Sequence, residues 1–197
     1  MPMEFHYAPG ATPIDPDEAA GLIPDHITTQ EQLNEWEAGN ILRGEKWAFA
    51  RKRKNLLSLQ FMCLLHKRLF GDTWKWAGVF RTTAKNIGIE AGQIGTELTK
   101  LCGDVAYQID HKSYSVDEMA ARFHHRLTWI HPFPNGNGRF SRTMADLLLV
   151  QNGAERFTWG AGNPIEAGEV RRRYIDSLHA ADSKECVPLL NFVRSKS

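Results

Sequence analysis

The stretch IHPFPNGNGRFSR, residues 130–142, places a histidine shortly before two glycines, two asparagines and two arginines. The chain after it has the apolar spacing of a helix, which we predict from about Asn137 to Gln151. The first turn of a helix leaves backbone N–H groups unpaired, and the helix dipole makes that end positive. Glycine lets the backbone approach a ligand closely in an anion-binding nest. Gly136, Asn137 and Gly138 are therefore candidate phosphate-binding residues.

Two arginines lie in the first turns of this predicted helix. Arg139 and Arg142 are three residues apart, so we expect them on one helix face. Cations near a helix N-terminus oppose the dipole and cost stability unless an anion lies between them. Such a local conflict is typical of a functional site. A di- or triphosphate would resolve it, with the arginines binding its non-bridging oxygens.

The histidine before the glycines is a candidate general base. The pKa of a histidine lies near neutrality, so His131 can accept a proton at physiological pH. A base beside a phosphate site suggests that it deprotonates a hydroxyl, which then attacks phosphorus. In the structural alternative, His131 caps the preceding helix and the glycines form only a turn. The two arginines favour the functional interpretation.

The rest of the chain predicts a mostly α-helical protein. Helical patterns begin near Thr29 and Leu56 and cover about Glu97 to Asp110. A proline-rich arm, residues 1–27, is expected to be irregular. Further helix starts are predicted from capping patterns at Ser115, Asn163 and Asp182. Between Trp74 and Gly95, β-branched and aromatic residues broken by glycines predict one short β-hairpin. We divide the chain into an N-terminal arm and helix, residues 1–55, and a core, residues 56–197.

The composition favours one globular domain, or one with small appendages. The 197 residues are 42% hydrophobic, and the formal net charge of +1 argues against direct binding to nucleic acid or an anionic membrane. We interpret the basic run Arg51–Lys54 as a solvated helix face or end, with a nucleic-acid patch as the alternative. His124 is expected to be a core residue beneath the loop. A metal site with His125 and Asp146 is the alternative, which no HExxH spacing supports.

The cysteines and the N-terminus predict the compartment. Cys63, Cys102 and Cys186 are far apart without a CxxC pair, which argues against a disulfide framework or a structural zinc site. The N-terminal MPMEFHYAPG lacks the apolar core of a signal peptide. No apolar run approaches the roughly 18 residues of a membrane helix. We therefore expect a soluble, cytoplasmic protein without membrane contact.

The opening stretch resembles the signature of the Fic family, HPFx(D/E)GNGRxxR, with its histidine at 131 and its last arginine at 142. The segments ARFHHRLTWI and WAGVFR are similar to the helix and the flap that precede this signature. The resemblance covers about residues 56–195. The chain is further similar to the subgroup called mobile mystery protein B, a name that implies no established function.

This resemblance implies an all-α Fic-type fold with a small β-hairpin flap. It also implies transfer of AMP from ATP to a Ser, Thr or Tyr hydroxyl of a target protein, with His131 as the base. Phe133 would anchor the loop, and Arg139 and Arg142 would bind the β/γ end of ATP. The flap would hold the target segment by strand pairing. Its candidate contact residues are Thr82, Thr83, Asn86 and Ile87.

One position departs from the signature. The family's acidic Mg²⁺ ligand falls at Asn135, whose amide oxygen can bind Mg²⁺ but carries no charge. In the family, Mg²⁺ bridges the α- and β-phosphates. Two alternatives therefore stay open: transfer of another phosphate-linked group, and a Fic domain that binds a nucleotide or a partner with little turnover. The sequence also leaves open whether the protein forms an oligomer.

A glutamate-rich segment before the core is a candidate inhibitory helix. Many Fic proteins carry the motif (S/T)xxxE(G/N), whose glutamate pairs with the second arginine of the signature. The segment TTQEQLNEWEAGN, residues 28–40, contains no clean match. In the functional interpretation, Glu37, or else Glu35, reaches Arg142 and supplies its counter-charge. An ordinary amphipathic helix with solvated acids is the alternative.

Overall fold

The computed structural model describes residues 13–161 and 167–195, and most of this part of the chain is helical. In chain order the α-helices are α1 Pro16–Ala19, α2 Gln30–Phe49, α3 Leu59–Phe70, α4 Ile94–His111, α5 Val116–Ile130, α6 Asn137–Gln151, α7 Ala167–Asp182 and α8 Val187–Val193. A single 3₁₀ turn, Ala91–Gln93, leads into α4. The predicted mostly helical fold is therefore confirmed, and α6 spans its predicted range.

Local capping explains where several helices begin. The side chains of Thr29, Ser58 and Ser115 each accept a hydrogen bond from a first-turn N–H, at the starts of α2, α3 and α5. The helix start predicted at Asp182 is wrong, because Asp182 is the last residue of α7. The chain there turns through Lys184 with a φ of 70°, and residues 183–185 close α7 instead of opening α8. The start predicted at Asn163 lies outside the described residues.

Helix α6 carries several of the candidate site residues in its first turns and is packed against three other helices. It packs against α5, α3 and α2, and α2 packs along α3. Phe140 and Met144 of α6 are fully buried, as are most of the other apolar side chains of this helix. Packing in such an interior is dense and resists displacement. The first turn of α6 therefore has a fixed position relative to α2, α3 and α5.

The arm and the flap both differ from prediction. The arm contains the short helix α1, which begins at Pro16 and is capped at its start by Asp15 N–H, which donates to Glu18 Oε2 at 2.9 Å. No β-hairpin forms: within residues 13–161 and 167–195, the only bridge is an isolated antiparallel pairing of Leu22 with Trp74. The flap, predicted from about Arg81 to Ile94, is instead an irregular loop over residues 81–90, and the name flap is kept for this loop. A buried arginine explains this, because the Arg81 guanidinium takes backbone carbonyls of the flap that a hairpin ladder would pair with N–H groups.

The basic run ends α2. Arg53 is buried and donates to the carbonyls of Trp47 and Ala48 in the last turn of the helix. Its positive charge there complements the helix dipole, whereas Arg51, Lys52 and Lys54 are exposed. In the described part of the chain, every helix is too short or too polar to span a lipid bilayer.

Candidate active site

His131 lies at the junction of α5 and the signature loop, residues 131–136. Its backbone adopts left-handed angles, φ 54° and ψ 62°, and its N–H donates to the Leu127 carbonyl at 3.1 Å to close α5. A non-glycine residue in this conformation costs about 1–3 kcal/mol and persists where its surroundings determine it. The backbone of His131 thus caps the helix, as the structural alternative supposed, while its imidazole is buried.

The environment of His131 keeps its imidazole neutral. Burial, and after it the nearby charge of Arg81, lower the pKa of His131 from 6.5 to about 4. A hydrogen bond to the Thr128 backbone opposes this shift, and the charge of Lys85 adds a smaller lowering. The side chain is 4% exposed. At neutral pH the ring therefore has the lone pair that a general base needs.

The loop is braced from inside by Asn137. Its Oδ1 accepts from Phe133 N–H at 2.9 Å and its Nδ2 donates to the Phe133 carbonyl at 2.7 Å. Phe133 is fully buried and stacks on His66 with a centroid distance of 3.7 Å, which makes it the expected anchor. Because both ends of the Asn137 amide bond to Phe133 and the residue is buried, we expect it to contact an anion through its backbone N–H.

Gly136 and Gly138 differ in how much space surrounds them. Gly136 has a φ of 77°, and a Cβ there would lie 2.6 Å from Cζ of Phe70, so no larger residue fits. A Cβ at Gly138 would meet no atom within 4 Å, so the space above the first turn of α6 is open. No side chain caps this helix start. The first-turn N–H groups therefore face space that a phosphate can enter.

His66 supports the loop from α3 and was missed by the sequence reasoning. Its Nε2 donates to the Asn135 carbonyl at 3.0 Å, and its Nδ1 accepts from Gly78 N–H at 2.9 Å. Burial lowers the pKa of His66 to about 3, so the ring is neutral with one donor and one acceptor, as these bonds require. A single histidine among apolar helix residues gives no sequence signal for this role.

The two arginines of the signature diverge. Arg139 lies toward α2 and α3, with its Nη1 2.6 Å from Oε2 of Glu37 and its Cζ 4.8 Å from the Phe70 ring centroid. Arg142 lies toward α7, with its Cζ 5.9 Å from the ring centroid of Tyr174. The expectation of one shared face is therefore wrong: the helix turn between them directs the two guanidinium groups to opposite flanks.

The candidate inhibitory glutamate reaches the site, but it contacts the other arginine. Glu37 is buried, with 8% exposed, and its Oε1 accepts from Nε1 of Trp74 at 2.7 Å. It pairs with Arg139 and not with Arg142 as expected, because Arg139 is the residue directed toward α2. Glu35 is exposed on the same helix and lines a cleft with His26 and Trp36, away from the signature loop.

Asn135 offers little to a metal ion. Its Oδ1 accepts from Gly136 N–H at 2.6 Å, and within the described ranges no group of three or more His, Cys, Asp or Glu residues is arranged to hold a metal. Mg²⁺ in proteins is held by carboxylates together with substrate phosphates. The residues present therefore fit Mg²⁺ only if the phosphates supply the charge.

The flap lies directly over His131. A Cβ at Gly88, whose φ is 104°, would lie 2.6 Å from Cβ of His131, so only glycine allows this approach. The candidate target-contact side chains all point to solvent; they are Thr82, Thr83, Asn86 and Ile87.

His124 is a core residue, as expected. It is fully buried, and its Nε2 shares a 2.9 Å hydrogen bond with the Tyr174 hydroxyl of α7. Asp146 bonds to the Phe157 N–H at 3.1 Å and to Nε1 of Trp159 at 3.2 Å, which fixes the chain after α6.

Comparison with known proteins places this part of the chain in a family. The model of the Fic/DOC family matches residues 56–149, which include the flap, α5, the signature loop and most of α6. The chain carries a Fic/DOC family domain. It is similar to Protein adenylyltransferase fic-1 of Caenorhabditis briggsae, at 28% identity over 74% of this chain and 28% of the relative. The narrower resemblance to mobile mystery protein B stays a prediction.

Solved structures share the fold of this Fic domain. The N-terminal Fic domain of a Bartonella quintana cell filamentation protein, with bound ADP, has a TM-score of 0.67 at 20% identity and covers 86% of each chain. BepC of Bartonella tribocorum, with bound AMPPNP, also has a TM-score of 0.67, at 21% identity over 90% of this chain and 95% of its own. This chain spans about 28% of the length of the curated relative.

Proposed function

We propose that this Fic protein transfers AMP from ATP to a Ser, Thr or Tyr hydroxyl of a target protein. The observation that carries the proposal is the neutral, buried His131 at the start of the loop that leads into an uncapped helix start, with open space above Gly138. His131 takes the proton of the attacking hydroxyl. The hydroxyl oxygen then bonds to the α-phosphorus of ATP, and the bond from that phosphorus to the bridging oxygen breaks, releasing pyrophosphate.

The roles of the other residues follow from their contacts. Backbone N–H groups of Gly136, Asn137 and Gly138 bind phosphate oxygens at the positive end of α6. Arg142 binds the γ end of ATP, and Arg139 does so once it leaves Glu37. Bound phosphates bring negative charge near His131, which raises the pKa of the imidazole from about 4 toward the range of an effective base.

Magnesium is proposed as a companion of ATP. Asn135 is the residue that would hold it, through one neutral amide oxygen. When bound, Mg²⁺ supplies charge neutralisation to the α- and β-phosphates. The weak protein contribution at Asn135 also supports the alternative of a domain that binds nucleotide with little turnover, and it leaves room for another phosphate-linked donor.

The similar proteins support a nucleotide substrate. The relative from Caenorhabditis briggsae is named a protein adenylyltransferase, and the two Bartonella structures contain ADP and AMPPNP. We extend ATP binding and AMP transfer from them to this chain. The target is a protein with an accessible hydroxyl segment, which contacts Thr82, Thr83, Asn86 and Ile87 of the flap.

Glu37 is proposed as a brake on this reaction. It neutralises Arg139 within the free protein, with a 2.6 Å contact, so the arginine has less charge to offer to phosphate. A buried carboxylate with two donors is held firmly in place. The glutamate must be displaced before Arg139 can bind ATP.

We also propose a cytoplasmic location. The three cysteines are free thiols, and Cys102 and Cys186 are buried, as expected in a reducing compartment. The absence of direct nucleic-acid binding stays a prediction, and the oligomeric state stays open.

The test uses ATP labelled at the α-phosphate or at the γ-phosphate, with the full chain and candidate target proteins. We expect the α label, and not the γ label, to become covalently attached to protein. The variant His131→Ala should lose about 10²–10⁴ in rate while its ATP affinity stays within a few-fold. Several nucleotide donors, each with Mg²⁺ or Mn²⁺, test other transferred groups.

The outcomes separate the candidate functions. Tight ATP binding without covalent label would support the binding domain. Transfer from a different labelled donor would support another phosphate-linked group. Wild-type turnover by His131→Ala would remove this residue from the role of base.

A further inference from the structure

Arg81 is the first residue of the flap, and its side chain is buried beneath it. The residue is 3% exposed. Its Nε donates to the His131 carbonyl at 2.7 Å, its Nη1 to the Thr83 carbonyl at 2.8 Å, and its Nη2 to the carbonyl of Ile89. The fork of a guanidinium has fixed geometry, so these bonds hold three backbone segments in a fixed relation.

The segments that Arg81 joins are the two sides of the flap and the residue proposed as the base. Its own backbone N–H donates to the Pro132 carbonyl at 2.9 Å, and Ile89 N–H donates to the Ile130 carbonyl at 3.5 Å. His131 is thus held from both neighbouring peptide groups by the flap. Because the peptide groups on both sides of its Cα are hydrogen-bonded, the direction of the Cα–Cβ bond of His131 is fixed as well.

The close approach of Gly88 to His131 and Arg81 also couples the flap to the histidine. A Cβ at this position would lie 2.8 Å from Nη2 of Arg81 as well as against His131. The flap cannot move closer without a clash, and it cannot lift without breaking the bonds of Arg81. The height of the flap and the direction of the imidazole are therefore linked.

We infer that Arg81 is a positioning residue for the transfer reaction. It holds His131 and the flap that binds the target in a fixed position relative to each other. This inference rests on the proposed function. A target segment laid on the flap then arrives at a fixed distance from the imidazole. A displacement of about 1 Å between reacting groups can cost about 10²-fold in rate, so the clamp matters to turnover more than to ATP binding.

The charge of Arg81 acts on the same imidazole. Arg81 and Lys85 are the cations that lower the pKa of His131. Lys85 is paired with Asp15 and Glu18 at 2.8 and 2.6 Å, and Glu90 acts on Arg81 by its negative charge. From α5, the Thr128 backbone opposes these cations by its hydrogen bond to the ring. Loss of the Arg81 charge should therefore raise the pKa of His131.

The experiment compares Arg81→Lys, which keeps the charge but loses the fork, with Arg81→Gln, which loses both. Arg122→Gln is the matched control, because Arg122 pairs with Glu118 on α5 and lies over the ring of Tyr114, neither of which belongs to the flap. For each full-length protein we would measure kcat, the KM for target, the Kd for ATP, the pH dependence of kcat and the melting temperature. An NMR titration of the His131 ring provides a readout that does not depend on turnover.

The inference predicts a fall in kcat of about 10²-fold for both variants with an ATP Kd within about twofold of wild type. Only Arg81→Gln should move the acid limb of kcat, and the His131 titration, to higher pH. Folded Arg81→Lys and Arg81→Gln proteins with kcat within about twofold of wild type would overturn it. If Arg81→Gln does not fold, kcat of Arg81→Lys decides.

Failure of the proposed function has a different signature. A wild-type protein without transfer, or a fully active His131→Ala, would reject that function and with it the role of Arg81 in turnover. If His131→Ala is inactive and both Arg81 variants are fully active, only the present inference fails. An unshifted His131 titration in folded Arg81→Gln would show that no electrostatic coupling exists between the two residues.

Discussion

The first turns of α6 have an arginine on each flank, and the two arginines have different partners. On the α2 flank, Arg139 contacts the carboxylate of Glu37 at 2.6 Å. On the α7 flank, Arg142 lies beside the neutral ring of Tyr174, and among the described residues no carboxylate is within salt-bridge distance of it. Two arginines one helical turn apart thus differ in whether an anion must first displace a partner.

Each flank also has a buried neutral histidine beside its arginine. The charge of Arg139 helps to lower the pKa of His66, and the charge of Arg142 helps to lower the pKa of His124, in both cases after the larger effect of burial. His66 bonds to the signature loop, whereas His124 bonds to α7. The flanks therefore differ in counter-charge and in what their histidines support.

The largest effect should come from the α7 flank, where Arg142 has no carboxylate partner among the described residues. We expect Arg142→Ala to weaken ATP binding by about 1.5–3 kcal/mol, or about 10- to 150-fold, because a charge-assisted hydrogen bond to the γ-phosphate is lost. ADP binding should change less, since ADP has no γ-phosphate. Isothermal titration calorimetry with both nucleotides measures the difference.

Arg139→Ala is the comparison for this variant. Since ATP must displace Glu37 from Arg139, the net loss in ATP affinity should be smaller than for Arg142→Ala. In a Glu37→Gln background the loss of ATP affinity from Arg139→Ala should increase, as a double-mutant cycle would show.

Equal losses of ATP and ADP affinity in Arg142→Ala would reject the placement of Arg142 at the γ-phosphate.

The next effect is on stability in acid. His66 and His124 have a pKa of about 3 when folded and 6.5 as the reference value. Between these values the unfolded chain binds protons that the folded chain does not, so the free energy of unfolding decreases as the pH falls below about 6.5. Each histidine contributes up to about 1.4 kcal/mol per pH unit, and His131, with a pKa of about 4, adds to this slope.

Urea unfolding at about pH 7 and about pH 5 measures the slope. The substitution His124→Gln keeps a donor for the Tyr174 hydroxyl and removes one titrating group, so its stability should depend less on pH than that of the wild type. His66→Gln tests the other flank in the same way. If neither variant reduces the slope, these histidines are not the source of acid sensitivity.

The contrast between the flanks also shows what sequence could and could not predict. The bounds of α6 and the cap at Ser115 follow from residues within one or two turns, and both predictions are confirmed. Glu37 and Arg139 are 102 residues apart in the chain, and which of two arginines faces α2 is set by helix packing. The sequence therefore indicated Glu37 correctly but paired it with Arg142 instead of Arg139.

The flap and His66 show the same limit. A hairpin and a loop clamped by a buried arginine have the same local composition, and the carbonyl of His131 that binds Arg81 lies 50 residues away. The carbonyl that His66 binds lies 69 residues away. Patterns with short periods cannot encode such contacts, whereas the signature motif predicted the residues of the loop because they are contiguous.

The smallest effect should come from releasing Arg139 from its partner. Glu37→Gln keeps the helix and the shape of the side chain but replaces a charge-assisted hydrogen bond with a neutral one. The difference is about 1 kcal/mol, so auto-modification at fixed, subsaturating ATP should increase by about fivefold. Labelling with ATP that carries the label at the α-phosphate measures this increase.

Glu35→Gln is the matched control, since it makes the same change two residues away on the exposed side of α2. Its labelling should equal that of the wild type. A deletion of residues 1–44 is a poorer test, because α2 buries Leu33, Asn40 and Gly44 against the core and its loss would expose apolar surface on α3. If Glu37→Gln and Glu35→Gln label equally, the ion pair with Arg139 stabilises the fold without restraining the reaction, and the difference between the two flanks has no regulatory consequence.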